Sequence, residues 1–300
     1  MRADDTAAAD SAATEVVEQH RAVLLGVAYR MLGRIADAED VVQEAWLRWA
    51  SADREDVREP RAFLVRVTTR LAIDRLRQAQ SRREAYVGPW LPEPLATDAL
   101  SGPVPDTADR VVLAESVSLA LLVVLESLSP LERAVFVLRE AFGFPYAEIA
   151  VALDRNEAAV RQLAGRARRH VTERRPRFEV DPEQQRELTQ RFLDAALRGD
   201  LEALLAILAP DARLVGDGGG KAKAPLRTVT SAGKVGRFLF AVAEQSADLG
   251  FVLLELNGSP AVLATRDGAA QAVLQLDVAD GRIQCVYAIT NPDKVAHLRP

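Results

Sequence analysis

From about Val16 to Arg83 apolar residues recur three and four positions apart with few Gly or Pro, a spacing that predicts a block of amphipathic helices. The pattern breaks at residues 86–109, YVGPWLPEPLATDALSGPVPDTAD, where five Pro and two Gly predict a linker rather than a long helix. Helical periodicity resumes from Arg110 to about Glu173, and a second break, Arg174–Pro182, carries two more prolines. Beyond it the pattern predicts a helical pair, Glu183–Leu197 and Leu201–Leu208, then a Gly-rich loop, then alternating apolar and polar runs. Those runs are punctuated by Asn257-Gly258, Asp267-Gly268 and Asp280-Gly281, dipeptides that tolerate positive φ and favour tight hairpins. The last third is therefore expected to be α+β with a twisted antiparallel sheet.

Two helical segments carry chemistry. In DAEDVVQEAWLRW, Ala38, Val41, Val42, Ala45, Trp46 and Trp49 make one apolar face, and Asp37, Asp40, Gln43 and Glu44 lie opposite. Four acidic or acceptor groups in two turns suit either a solvated face or a basic partner. After Pro60 the sign reverses: residues 61–84 hold seven Arg against Asp74 and Glu84. Phe63, Val67 and Leu71 recur every four residues, Arg66, Arg70 and Arg77 share one side, and Asp74 is placed to pair with Arg70 or Arg77. A stripe of this kind neutralises phosphates.

Further on, YAEIAVAL, a turn at Asp154-Arg155 and EAAVRQLAGRARRHV form a helix-turn-helix candidate. Asn156 is a good N-cap; Val160, Leu163 and Ala167 are expected to be buried, with Arg161, Gln162, Gly165, Arg166, Arg168 and Arg169 exposed. Arg and Gln at the exposed start of such a helix fit major-groove reading, since Arg bonds guanine bidentately and Gln adenine.

Composition alters this picture only in part. A chain of 300 residues, 49% apolar and 27% charged, suits roughly two globular domains. A single cysteine, Cys285, excludes an internal disulfide and a cysteine-based metal cluster, and its apolar neighbours predict an inert core position. The N-terminal residues are polar and acidic without a signal-like apolar stretch, and the longest apolar run, Val117–Leu125, is far short of the roughly 20 residues that span a bilayer. A cytoplasmic protein without a membrane span is expected. The net charge of -5 argues mildly against nucleic acid until it is apportioned, for segments 61–84 and 155–177 carry +5 and +6.

The order of the acidic-faced DAEDVVQEAWLRW helix, the basic LAIDRLR helix, a linker, then LSPLERAVFVLREAFGFPYAEIA and EAAVRQLAGRARRHV resembles extracytoplasmic-function (ECF) sigma factors of the sigma-70 superfamily over about residues 15–175. Three short motifs extend the resemblance to the SigJ-type subgroup with a fused SnoaL-like (NTF2-like) domain: Trp90-Leu91-Pro92-Glu93-Pro94, Asp217-Gly218-Gly219-Gly220-Lys221 and Asn291-Pro292-Asp293-Lys294. The resemblance implies two all-α helical domains and a C-terminal α+β NTF2-like cone. The expected boundaries are sigma region 2 over 15–85, a Pro-rich linker over 86–109, a sigma region 4 helix-turn-helix over 110–175 and the SnoaL-like domain over 183–298.

The implied partners are core RNA polymerase, through the β′ clamp helices and the β flap, and promoter DNA. On this resemblance Asp37, Asp40, Gln43 and Glu44 dock on the clamp helices. The loop Ala50–Pro60 melts the minus-10 element, and Arg66, Arg70 and Arg77 hold its backbone. Arg161, Gln162, Arg166 and Arg169 contact the minus-35 element. One position departs from the family: the turn usually occupied by Gly is Asp154, which tolerates a left-handed φ better than most residues.

For the C-terminal domain the implied role is regulation in cis, in place of a separate anti-sigma factor, with Trp90 as a rigid aromatic anchor on a stiff proline-flanked segment. NTF2-like cones often enclose a pocket, so a small ligand there is one further partner. An enzyme would need a carboxylate base; Asp211 and Asp217 are the nominees, but Asp211 reads as a cap at a helix end and Asp217 as the start of a flexible loop. With only His20, His170 and His297, no His-carboxylate pair is apparent. The chain is read as a non-enzyme without cofactor or metal. The alternatives are a helix-turn-helix regulator with a ligand-sensing domain, or a residual NTF2-like activity.

Overall fold

The structure, a computed structural model, describes residues 2–52, 57, 59–83, 85–97, 118–174 and 181–299. The loop 50–60, expected to melt the minus-10 element, and the expected linker therefore fall partly outside the described residues, at 53–56, 58 and 98–109, as does the predicted helical stretch 110–117. The chain divides into two compact units, one with Met1–Arg82 and Leu121–Pro176, the other with Arg83–Thr97, Ser118–Ala120 and Arg177–Pro300. The first half of the linker thus belongs with the C-terminal unit.

The first unit is helical. Its elements are α1 (Arg2–Leu32), α2 (Ile35–Ala50), α3 (Pro60–Arg83), α4 (Leu119–Leu125, in this unit from Leu121), α5 (Pro130–Phe136), a π-helical turn (Val137–Ala141), α6 (Tyr146–Leu153) and α7 (Glu157–Arg174). Helix α2 buries Ala38, Val41, Val42, Ala45 and Trp49, the face its spacing predicts, and Trp49 meets Phe63 of α3 with ring centroids 5.5 Å apart. Helix α3 is buried over more of its circumference than an amphipathic stripe would be, since Leu64, Val65, Thr68, Thr69, Ala72, Ile73 and Leu76 are buried beside Val67 and Leu71. Ser129 and Glu132 close a capping box at the start of α5, with Pro130 at its first position. Arg133, fully buried on α5, donates from Nε to the Arg30 carbonyl at 2.9 Å and from Nη1 to Glu126 at 2.5 Å. Burial pushes its guanidinium down to about 9, and that of the equally buried Arg30, stacked on Phe142, down to about 10.

The second unit is the expected α+β domain. Helices α8 (Pro182–Arg198), α9 (Leu201–Ile207) and α10 (Ala232–Glu244) pack on one face of a six-stranded sheet, ordered β2-β1-β6-β5-β4-β3. Its strands are β1 (Leu208–Asp217), β2 (Val229–Thr230), β3 (Gly250–Leu256), β4 (Ser259–Arg266), β5 (Ala269–Ala279) and β6 (Arg282–Ile289). Leu188, Phe192, Leu204, Ile207, Val235 and Leu239 bury the helices against Ala212, Leu214, Leu276, Val278, Ile283 and Val286. Each Asn-Gly or Asp-Gly pair joins two consecutive strands, with φ of 51° and 68°, 52° and 76°, and 52° and 66°, positive at both turn residues as two-residue hairpins require.

Three expectations are corrected. The sheet is mixed, because β1 runs parallel to β6 while the other pairs are antiparallel. Residues 232–244, expected within the loop and strand region, form helix α10, whose run AGKVGRFLFAVAE starts without a side-chain cap and follows directly on the glycine-rich loop and β2. Asp211 is an exposed residue within β1, so it caps no helix.

Candidate functional sites: two charged helical surfaces and a buried linker clasp

On α2 the acidic face forms as its spacing predicts: Asp40 and Gln43 are exposed, Asp37 and Glu44 half-buried. Part of its charge is already engaged. Arg75 of α3, a residue the sequence reading assigned no role, reaches Asp40 at 3.0 Å and Glu44 at 4.0 Å, and Arg48 bonds Glu44 at 2.7 Å. On α3, Asp74 pairs with Arg77 at 3.2 Å and not with Arg70. Arg70 instead donates from Nε to the Ala152 carbonyl at the end of α6, at 2.9 Å, and half-buried Arg66 stacks over Phe63. A cavity of about 420 Å³ lies beside them, lined by Val57, Phe63, Arg66, Ala147, Glu148 and Val151.

Helices α6 and α7 make the expected helix-turn-helix. Asp154 adopts φ 54° and ψ 54°, the left-handed turn that usually takes Gly, and Asn156 caps α7 by accepting from the Ala159 N–H at 2.8 Å. The buried face is Val160, Ala164 and Ala167, so Ala164 takes the place expected of Leu163, which is half-buried. Arg161, Gln162, Arg166, Arg168 and Arg169 are exposed. Arg166 meets Glu132 at 2.9 Å and Arg168 meets Glu140 at 2.7 Å, which ties α7 to the α5 region. The Glu132 carboxyl is held below its usual range by the Ser129 hydroxyl first and then by Arg166. Arg161 bonds Glu157 and stacks over Tyr146.

In the second unit the three short motifs meet at one point. Strand alternation sets this up: Leu214 faces the helices, so Asp217, three residues on, faces the opposite side of the sheet. Its carboxylate is fully buried and accepts three hydrogen bonds, from the Tyr86 hydroxyl at 2.6 Å, the Leu91 N–H at 2.8 Å and the Lys294 ammonium at 2.7 Å. Asp217 therefore starts no flexible loop. Lys294, 2% exposed, also donates to the Leu91 carbonyl and lies 4.1 Å from the Trp90 ring centre and 5.2 Å from that of Tyr86. The Tyr86 hydroxyl accepts from Asn291 Nδ2 at 2.7 Å, and its pKa is raised, by burial first and then by Asp217.

The chemistry of each motif follows from this geometry. In Asn291-Pro292-Asp293-Lys294, Asn291 caps a one-turn helix, α11 (Pro292–Val295), Pro292 takes the first position, and Lys294 is left aimed at Asp217. In the glycine run, Gly219 has φ 57°, and a Cβ there would lie 2.3 Å from Asn291 Nδ2 and 2.7 Å from the Tyr86 hydroxyl. Gly220 continues the turn, Lys221 donates its N–H to the Gly218 carbonyl at 2.9 Å, and its ammonium reaches Asp293 at 2.5 Å. In the linker, Leu91, Pro92, Glu93, Pro94 and Leu95 are buried while Trp90 is half-buried, so the leucines are the deep anchors.

Residues outside the motifs complete the grip. Leu95 exchanges two hydrogen bonds with Asn257, accepting from its N–H at 2.8 Å and donating to its Oδ1 at 3.0 Å, and Ala96 bridges Leu256. His297 Nε2 donates to the Pro94 carbonyl at 3.0 Å, and its Nδ1 lies 3.4 Å from Glu93, a His-carboxylate pair the sequence reading missed. That pair is long-range, and only the proximity of His297 to the Asn-Pro-Asp-Lys turn could have signalled it.

Cys285 is buried in β6, and burial pushes its thiol up to about 12. Among the described residues no group of three or more His, Cys, Asp and Glu could hold a metal ion, and no helix is long and apolar enough to cross a membrane.

Comparison with known proteins adds the following. Sigma-70 region 2 matches residues 16–82 and Sigma-70, region 4 matches residues 118–171. The chain is 41% identical over 293 residues to the ECF RNA polymerase sigma factor SigJ of Mycobacterium tuberculosis, covering 93% of this chain and 91% of that one. It is 39% identical over 284 residues to the probable ECF RNA polymerase sigma factor SigI of the same species, covering 93% of each. The crystal structure of the M. tuberculosis extracytoplasmic function sigma factor SigJ matches with a TM-score of 0.72 at 38% identity, over 92% of this chain and 96% of that one.

Proposed function

The chain belongs to the ECF RNA polymerase sigma factors, and from that premise we propose that its C-terminal unit regulates promoter-specific initiation in cis by gripping the linker. The clasp at Asp217 is the observation that carries this reading. A linker whose residues 86–97 are held by one domain can take a different path on polymerase only by breaking those bonds. In the proposed mechanism the polymerase-bound state uses such a path, and the energy of the clasp is thereby coupled to the activity of the factor.

Within this reading Asp37, Asp40, Gln43 and Glu44 dock on the β′ clamp helices, and region 4 meets the β flap. Arg66, Arg70 and Arg77 hold the minus-10 strand, and Arg161, Gln162, Arg166 and Arg169 contact the minus-35 element. The residues of the three motifs form the regulatory contact. The protein works in the cytoplasm, catalyses no reaction itself, and uses Asp217 as a structural acceptor and not as a base, since all of its partners are donors that hold the linker and the C-terminal turn.

The test is run-off transcription with core polymerase and either the full chain or a chain ending at residue 182. The reading expects both to bind core and their promoter output to differ. Equal output would remove the regulatory claim, and a full chain that binds duplex DNA tightly but never associates with core would favour the ordinary helix-turn-helix regulator.

A further inference from the structure

Arg161 sits at the exposed start of α7, where its charge could serve as a general phosphate contact or as a reader of one base. Its surroundings distinguish the two. Its Nε donates to Glu157 Oε1 at 3.1 Å, its Nη2 donates to the same oxygen, and its guanidinium carbon lies 4.6 Å from the centre of the Tyr146 ring. The Tyr146 ring is itself fixed. Arg139 stacks on it at 4.7 Å while donating to the Phe144 carbonyl at 3.1 Å. With its Nε side occupied by Glu157, the guanidinium has Nη1 and the second Nη2 hydrogen left, a parallel pair that matches the O6 and N7 acceptors of guanine. A side chain held on one edge by a carboxylate and on one face by a ring also loses less rotamer entropy on binding than a solvated arginine does.

The geometry points to Tyr146 and Glu157 as positioning residues that preset Arg161 to read one guanine of the minus-35 element, an inference that rests on α7 being the minus-35 reader. The experiment is selection from a promoter library randomised across the minus-35 hexamer, with full-length protein and core polymerase, comparing the wild type with Arg161→Ala, Glu157→Gln, Tyr146→Ala and Tyr146→Phe. The wild type is expected to prefer guanine at one position by roughly 5- to 150-fold, the span a bidentate arginine supplies. Arg161→Ala should abolish that preference, Glu157→Gln and Tyr146→Ala should flatten it at that position alone, and Tyr146→Phe, which keeps the ring, should retain it. If Glu157→Gln and Tyr146→Ala keep the wild-type preference while Arg161→Ala loses it, the positioning claim falls and the reader stands. If Arg161→Ala keeps every preference, Arg161 reads no base. Equal loss of preference at all positions would assign Tyr146 a structural role in the helix-turn-helix and overturn the proposal.

Discussion

Asp217→Asn removes one charge and almost no volume, so its cost isolates the electrostatics of the clasp. The wild-type carboxylate is fully buried and accepts from Tyr86, Leu91 and Lys294, whose ammonium is 2% exposed. An asparagine keeps one acceptor oxygen, but it leaves the Lys294 ammonium buried without its counter-ion and turns a donor toward other donors. Breaking a buried pair from one side costs about 3–5 kcal/mol, and that is the expected loss. Lys294→Met should cost a similar amount for the mirror reason. The double variant buries no charge and still lets Asn accept from Leu91 and Tyr86, so the two costs should fall short of additive by roughly 2–3 kcal/mol. Hydrogen exchange resolved to β1, β6 and linker peptides in increasing denaturant reads this directly, since the Leu91 amide is protected by Asp217 itself. A cost for Asp217→Asn below about 1 kcal/mol, or strictly additive single costs, would refute the reasoning.

Other outcomes follow from the same geometry. Gly219→Ala should destabilise the second unit by roughly 1–3 kcal/mol in thermal unfolding, because a Cβ at φ 57° meets Asn291 and Tyr86, whereas Gly268→Ala, with φ 76° and nothing within 4 Å, should cost only about 1 kcal/mol. Arg133→Ala should cost about 3–5 kcal/mol in the first unit, since it removes a fully buried side chain together with its bonds to Glu126 and the Arg30 carbonyl; a change below about 1 kcal/mol would contradict the role given to it. The raised pKa of Tyr86 means that its contribution is fully present below the usual phenol value and is lost as pH rises through the folded one, so the second unit should weaken at alkaline pH. Tyr86→Phe should reduce that alkaline loss in unfolding measurements across pH, leaving the part that buried Tyr287, whose pKa burial also raises, supplies. Cys285, buried with its thiol pushed up to about 12, should resist alkylation at neutral pH until the chain unfolds.

Local signals were legible where chemistry is local. Helical period, the N-cap at Asn156 and the three hairpin dipeptides each act within four residues, and the structure places them as read. The parallel pairing of β1 with β6 was not legible, because it joins residues about seventy positions apart and leaves no mark on either strand's own pattern. The clasp was half legible. Its three motifs could be named, but Asp217 beside three glycines reads as a loop, and only the sheet's alternation turns it inward to meet Leu91, 126 residues away. Trp90 drew attention by its size, yet Leu91 and Leu95 are the residues that bury, since prolines on both sides of Leu91-Pro92 leave the backbone extended with its leucines inward. Arg75 escaped notice because its partners, Asp40 and Glu44, lie on a different helix.

The most direct test of the account is run-off transcription by reconstituted core polymerase on a library of genomic fragments, with the wild type and with Asp217→Asn side by side. The account predicts specific start sites that depend on the added protein, shared by both proteins, with an output that changes when the clasp is weakened. No protein-dependent start sites, or identical output from a variant shown by hydrogen exchange to have released its linker, would contradict it.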